Sequence, residues 1–378
     1  MDSELNSSYR INVSQSAEDN EWDNFVEFGA KGHFEQTSRW GQVKGEGGWQ
    51  PLRLMVYEAG EIVAGAQILL RSLPLFGRIG YLPRGPLVLK PDPDLPSLIV
   101  HKIKDAAKEW RVRFLLAQAP QGRQDIDEVL AREGFVPDDS GEIVTATMCI
   151  DLGQGLETVL SRMTKKFRHH IRFAARNYVA VHDGKEEDIP LFFRMMVETC
   201  KRQGVDPNPA SESHIRKLWQ VFSERGGVKL FLASYKDEVV SGLIGIPFGQ
   251  VFYAWKMGWT GKFEDSRANH LLHWEAIKWA SNAGYRFFDF MAVSRLVAET
   301  VIKGGHFYSA AKGSDLFKLS FGGDPILLPE ARTYISNPIL KFSYGKVYPR
   351  IRALRRRIGE AMRSQPPSAA RREKAEDT

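Results

Sequence analysis

The chain has 378 residues, 43% hydrophobic and 26% charged, with 52 Lys and Arg against 46 Asp and Glu. That length exceeds one ordinary core and predicts two domains, and no run of about 18 apolar residues is present to span a membrane as a helix. The two cysteines, Cys149 and Cys200, are far apart and have no histidines at ligand spacing, which excludes a disulfide framework and a zinc site.

The first residues, MDSELNSSYR, are polar and lack an apolar h-region, so a cytoplasmic protein is expected. From about Ser16 to Val43 the pattern predicts a helix, a loop and a second short helix begun near Thr37 or Ser38. Trp40 and Val43 face inward in that helix, and Lys44 closes it where a cation suits the dipole. Two apolar runs, Pro51–Tyr57 and Ile62–Leu70, predict a β-hairpin. A third run, Ile79–Leu89, carries the rigid Pro83-Arg84-Gly85-Pro86; an amphipathic helix over Leu95–Trp110 and a strand over Arg113–Ala117 follow.

The same order returns further along. Val228–Ser234 and Val239–Ile246 form a hairpin, Val251–Trp255 a third strand, His270–Ala283 a helix, and Tyr285–Phe290 a strand bearing Asp289. Such self-similarity predicts two copies of one mixed α/β domain. Between the copies, Leu156–Asn177 predicts one helix with an apolar side. Its other side carries Arg162, Lys165, Lys166, Arg168, Arg172 and Arg176, and is either a solvated face or a phosphate-binding one.

Near the end, Leu316-Phe317-Lys318-Leu319-Ser320-Phe321 precedes Gly322-Gly323 and predicts a strand with one lysine among aromatics. That lysine is either an edge-strand residue or part of a site. Residues 341–363 are strongly basic and suit anionic lipid or a packed amphipathic helix, and 364–378 are polar and proline-rich, as in disordered tails.

No GxSxG elbow, Walker loop, HExxH or Rossmann fingerprint occurs. The loops opening the two repeat helices, LPRGPLVLKPDPDLP and TGKFEDSRANHLL, lack the glycines that cradle a coenzyme A pyrophosphate. The stretches QTSRWGQVK, YLPRGP, MTKKFRHHIRFAARNYV, HLLHWEAIKWA with FDF, and LFKLSFGG together resemble the Fem-type aminoacyltransferases over roughly residues 16–325.

The resemblance implies an α/β fold of tandem N-acetyltransferase-like domains, each a mixed twisted sheet flanked by helices. The expected divisions are 9–150, 151–324, and 325–363 returning to the first domain. It implies amide formation between an amino acid carried on tRNA and an amine of a peptidoglycan precursor or related acceptor. Aminoacyl-tRNA is then the co-substrate, with no other cofactor and no metal, and the enzyme is cytoplasmic or peripheral at the inner membrane surface. Lys318 and Phe317 are implied at the reaction centre. Lys44, Trp40, Arg84, Gln118, Tyr253 and Trp255 are implied on the substrate side, and Lys165, Lys166, Arg168 and Arg172 on the tRNA side.

Three features depart from the family pattern: Gln118 replaces an Asp found in some members, the family's acceptor-phosphate arginine has no clear match near Asp206-Pro207-Asn208, and Met291 replaces the usual glycine after the Asp289 strand. An activated ester needs no protein nucleophile, only stabilisation of the tetrahedral oxyanion and a proton acceptor. His169, His170, His273 and His306 qualify as acceptors only because histidine titrates near neutrality. Two alternatives stay open on the residues: an acyl-CoA-dependent N-acyltransferase in polysaccharide or small-molecule biosynthesis, and a non-catalytic RNA- or membrane-binding module.

Overall fold

The computed structural model describes residues 9–74, 77–89, 92–138, 143–224, 226–306, 311–337 and 341. The described residues up to Tyr334 form one compact unit. The tail 364–378 and all of the basic stretch 341–363 except Lys341 lie outside the described residues.

The strands are β1 (Arg10–Ser14), β2 (Gln50–Glu58), β3 (Glu61–Leu73), β4 (Gly77–Leu82), β5 (Leu87–Val88), β6 (Val112–Ala117), β7 (Val136–Asp138), β8 (Ala146–Asp151), β9 (Ala180–Asp183), β10 (Lys229–Tyr235), β11 (Glu238–Phe248), β12 (Val251–Trp259), β13 (Phe287–Ala292), β14 (Asp324–Leu327) and β15 (Ala331–Ile335). The helices are α1 (Asn20–Asn24), α2 (Ser38–Gly45), α3 (Leu95–Glu109), α4 (Gln124–Arg132), α5 (Leu156–Arg162), α6 (Lys165–Arg176), α7 (Ile189–Gln203), α8 (Glu212–Ser223), α9 (Ala268–Asn282), α10 (Arg295–Ile302) and α11 (Gly313–Leu319).

The strands make two mixed sheets, ordered β1-β2-β3-β4-β6-β15-β7 with β5 on β3, and β14-β8-β13-β12-β11-β10-β9. Each holds the expected hairpin: the turns at Ala59-Gly60 and Lys236-Asp237 both take positive φ at their two central residues, the conformation that matches strand twist. One strand crosses between the sheets. β8 straddles the expected boundary at residue 150 and lies between β13 and β14 of the second sheet, whereas β15, which follows that sheet in the chain, lies between β6 and β7 of the first.

The two faces of each sheet bury different residues because strand side chains alternate. Leu52, Leu54 and Val56 of β2 pack under α3 and α4. Met55 and Tyr57 of the same strand join a core shared with Phe192 and Met196 of α7, Phe222 of α8, and Leu230 and Leu232 of β10. Each fully buried aromatic or large aliphatic contributes about 1.5–3 kcal/mol, so this shared core holds the two sheets as one body.

Two expectations are corrected. The single helix over Leu156–Asn177 is two, because Met163 is extended and the Thr164 side chain accepts from Phe167 N to cap a new helix. The stretch around Lys318 is helix α11, not a strand: Phe317 and Phe321 lie one turn apart, with ring centroids at 5.3 Å.

Candidate active site

In the second sheet β12 and β13 run parallel, and their register ends at Tyr253 opposite Asp289. Beyond that point β13 bulges: Asp289 opposes Cys149 but Ala292 opposes Thr147, so β13 carries one extra residue. Met291 absorbs it at φ 61°, a left-handed conformation that suits glycine far better. The bulge gathers polar groups. Met291 N donates to Asp289 Oδ1 at 2.6 Å, the Thr147 hydroxyl donates to the same oxygen, and the Ala292 carbonyl accepts from Lys318 Nζ.

The first domain supplies the opposite wall. Gln36 is fully buried and braces it, with Nε2 donating to Pro83 O at 2.6 Å and to Gln67 O at 3.2 Å, while Oε1 accepts from Gln67 N at 2.9 Å. Next to this brace the Thr37 side chain caps α2 by accepting from Trp40 N at 3.1 Å. One sequence neighbourhood thereby fixes Glu35, Trp40 and Lys44, while its bond to Pro83 fixes Arg84, itself at φ 52°.

The electrostatics tie the walls together. Burial raises the Glu35 carboxyl against the opposing pull of Arg84, Lys44 and Lys256. Burial also raises the Asp289 carboxyl, opposed by its bonds from Thr147 and Met291 and by Arg84 and Lys318. The Lys44 and Lys256 ammonium groups are both lowered, chiefly by burial. Lys318 falls from 10.5 to about 8, again chiefly by burial; Asp315 and Asp289 restrain the shift and Lys256 adds to it. Four cations against two carboxylates leave the seam net positive.

Aromatic rings frame these charges. Trp40 meets Trp255 edge-on at 6.0 Å, the Lys256 ammonium sits 5.4 Å from the Trp255 ring, and Lys44 sits 5.8 Å from the Trp49 ring. Tyr253 packs edge-on against Phe34 at 5.2 Å, and burial pushes its hydroxyl up. Trp40 Nε1 is buried without a hydrogen-bond partner.

The structure therefore brings Lys44, Trp40, Arg84, Tyr253, Trp255 and Lys318 to one seam. Gln118 is corrected: it is buried, and its Nε2 donates to Val144 O at 2.9 Å and Pro329 O at 2.7 Å. It clips the segments leading to β8 and β15 and is not presented to the seam. Phe317 anchors α11, contacting His273 at 5.1 Å, Phe167 of α6 at 5.4 Å and Phe321 at 5.3 Å. The same helix end is bolted to α6 through Thr164 N donating to Ser320 O at 3.1 Å.

Of the four histidines considered as proton acceptors, His273 is a core residue, held down to about 4 by burial, with Nδ1 hydrogen-bonded to Asn269 O at 2.8 Å. His170 pairs with His270 at 3.1 Å, and His169 and His306 are exposed. On α6, Lys165, Lys166 and Arg172 are exposed. Arg168 differs, because its Nη1 donates to Ser161 O and Met163 O at 2.8 and 2.6 Å and holds the helix break. Glu35, Lys256 and Asp289 were missed as site residues. Lys256 had a signal, being a lone lysine inside the apolar strand VFYAWKMGW.

Two similar sheets, each with a parallel strand pair and a helix crossing over, define a tandem of GNAT-like transferase domains. The model of the FemAB family matches residues 17–128, and that of the acetyltransferase (GNAT) domain matches 164–299. The chain thus carries a FemAB-like stretch in its first half and a GNAT-like stretch in its second.

It is 23% identical over 223 residues to the lipid II:glycine glycyltransferase of Staphylococcus aureus (strain MRSA252), covering 56% of this chain and 52% of that protein. The chain thus spans about half the length of that relative. It is 22% identical over 296 residues to the UDP-N-acetylmuramoylpentapeptide-lysine N(6)-alanyltransferase of Weissella viridescens, covering 74% and 84%. The crystal structure of FemX shares the fold with a TM-score of 0.73 at 17% identity, over 89% of this chain and 99% of that one. A tandem GNAT protein from the clavulanic acid biosynthesis pathway follows at 0.55 and 11% identity, over 87% and 99%.

Proposed function

We propose that the protein is an aminoacyltransferase that moves an amino acid from aminoacyl-tRNA to an amine of a peptidoglycan precursor. The observation that carries this reading is the seam itself: a half-buried lysine, lowered by burial to about 8, at a bulged strand end, facing a cationic and aromatic wall from the other domain. Relatives of this chain include a glycyltransferase acting on lipid II and a lysine alanyltransferase acting on a muramoylpentapeptide.

The chemistry balances without a protein nucleophile. The acceptor amine attacks the ester carbonyl, a C–N bond forms, and the C–O bond to the tRNA ribose breaks. The Lys318 ammonium stabilises the tetrahedral oxyanion. Asp289 takes the amine proton; burial makes its carboxylate a stronger base than an exposed one, and both hydrogen bonds it accepts fall on Oδ1, which leaves Oδ2 for the proton. The ribose oxygen is then protonated as it leaves. Lys44, Lys256 and Arg84 hold anionic groups of the acceptor, and Trp40 and Trp255 flank its sugar or peptide. No other cofactor or metal enters this scheme. The reaction is assigned to the cytoplasm, at the inner membrane surface where the acceptor is lipid-linked; no described helix is long and apolar enough to cross a membrane.

The test is to incubate the protein with mixed charged tRNAs and cell-wall precursors and to seek an added aminoacyl residue by mass spectrometry. Parallel reactions with acyl-CoA address the other donor class that the GNAT match admits. Acylation from coenzyme A alone would overturn the reading.

A further inference from the structure

The C-terminal end of α6 presents a feature that the seam does not use. Val179 N donates to Ala174 O at 3.2 Å, closing the helix in the six-to-one pattern whose left-handed position is normally glycine. Here that position is Tyr178, at φ 60°. Its side chain is 90% exposed, so no packing within the chain offsets the left-handed backbone.

The surroundings are concave, and the helix face leading to them is basic. Tyr178 and Asn177 border a hollow of about 350 Å³ whose other side is the β10–β11 turn, with Tyr235, Lys236 and Asp237. Lys236 sits 5.5 Å from the Tyr235 ring and 5.8 Å from the Phe263 ring, so its charge is held at the rim. Leading to the hollow along the exposed side of α6 run Lys165, His169, Arg172 and Arg176, at helical spacing opposite the buried Phe167, Ile171 and Ala174. Phe173, 39% exposed, adds a second aromatic beside His169. Asp237 is the one acidic residue bordering the hollow.

We propose that this surface binds single-stranded or looped RNA, with phosphates along the basic stripe and one unpaired base stacked on Tyr178 over the hollow. Exposed aromatics beside arginines and lysines suit unpaired nucleotides because every base offers a π-face and every linkage a negative charge. The inference rests on the aminoacyl-tRNA reading for the identity of the RNA, but the site is tested apart from catalysis.

The experiment measures binding of uncharged tRNA to the full chain by fluorescence anisotropy across a salt series, with thermal unfolding alongside. Tyr178→Gly relieves the backbone, so its melting temperature should hold or rise while affinity falls roughly five- to 150-fold, the range for losing one stacked base. Tyr178→Phe should retain affinity. The salt slope should stay unchanged in Tyr178→Gly, because stacking releases no counterions, and should flatten in Lys165→Glu with Arg172→Glu. Equal tRNA affinity in wild type and Tyr178→Gly overturns the proposal. So does a Tyr178→Gly defect confined to vesicles of anionic phospholipid, which would assign the surface to a membrane. Tyr178-dependent tRNA binding by a protein that transfers no amino acid would sustain this site while removing the catalytic reading.

Discussion

The ammonium of Lys318 donates a hydrogen bond to the carbonyl of Ala292, the residue at which β13 regains its register with β8 after the left-handed Met291. A helix residue and a strand bulge are thus built as one unit. The bulge exposes a carbonyl that anchors the amine, and burial brings that amine to about 8.

Lys318→Met deletes the charge and keeps most of the stem. Single-turnover transfer should fall on the order of a hundred- to a thousandfold, as for loss of one oxyanion stabiliser, with folding retained. In wild type the rate should decline as pH rises through about 8, where the ammonium is lost.

Stability should move the other way in that window. The folded-state value lies below the ordinary 10.5, so between about pH 8 and 10.5 the unfolded chain binds more protons and this group's contribution to stability rises with pH. Below about 8 its burial penalty is fully present. Urea unfolding at pH 7 and pH 9.5 should show this rise in wild type and a smaller one in Lys318→Met, where the lowered Lys44 and Lys256 still contribute.

Gln36→Leu removes the donor to Pro83 O and Gln67 O and the acceptor for Gln67 N. The stranded buried groups should cost roughly 2–4 kcal/mol by urea unfolding. Freed from its brace, the loop carrying Arg84 should also shift, raising KM for the acceptor. Loss of stability with an unchanged KM would show that the brace serves the fold alone.

Lys256→Met and Lys44→Met each take one cation from a net positive seam. KM for an anionic muropeptide precursor should rise about ten- to 150-fold in each, in line with the roughly 1.5–3 kcal/mol of a hydrogen bond to a charged group. The salt dependence of KM should weaken, and kcat should change less than KM.

Gly322 follows α11 at φ 76°, and a Cβ there would lie 2.3 Å from Arg162 O. Gly322→Ala should therefore cost about 2–3 kcal/mol and displace α11. A calorimetric scan together with transfer kinetics would detect both effects.

The repeated hairpins, the third strands and the α3 and α9 crossovers were legible because alternation and helical spacing are local signals. The helix bearing Lys318 was not, since Leu316-Phe317-Lys318-Leu319 fits a strand as well as one turn of helix, and Leu319 and Phe321 are buried by tertiary packing alone. Glu35, Lys256 and Asp289 share no stretch of sequence, and burial rather than residue type sets their charge properties. The crossing of β15 was legible only in part: a return of the C-terminal segment was expected, but an apolar run does not say between which strands it will lie.

That crossing bears on how the chain is made. β6 and β7 leave the ribosome before the second domain exists, with the slot between them empty until β15 is synthesised near the end. Throughout that interval the nascent first sheet carries two unpaired strand edges, the kind of surface that captures other chains. Neither half should be a stable product when expressed alone. Two separately made fragments, cut in the segment between β7 and β8, should recover a native fold only on mixing, when the C-terminal fragment supplies β15 to the first sheet.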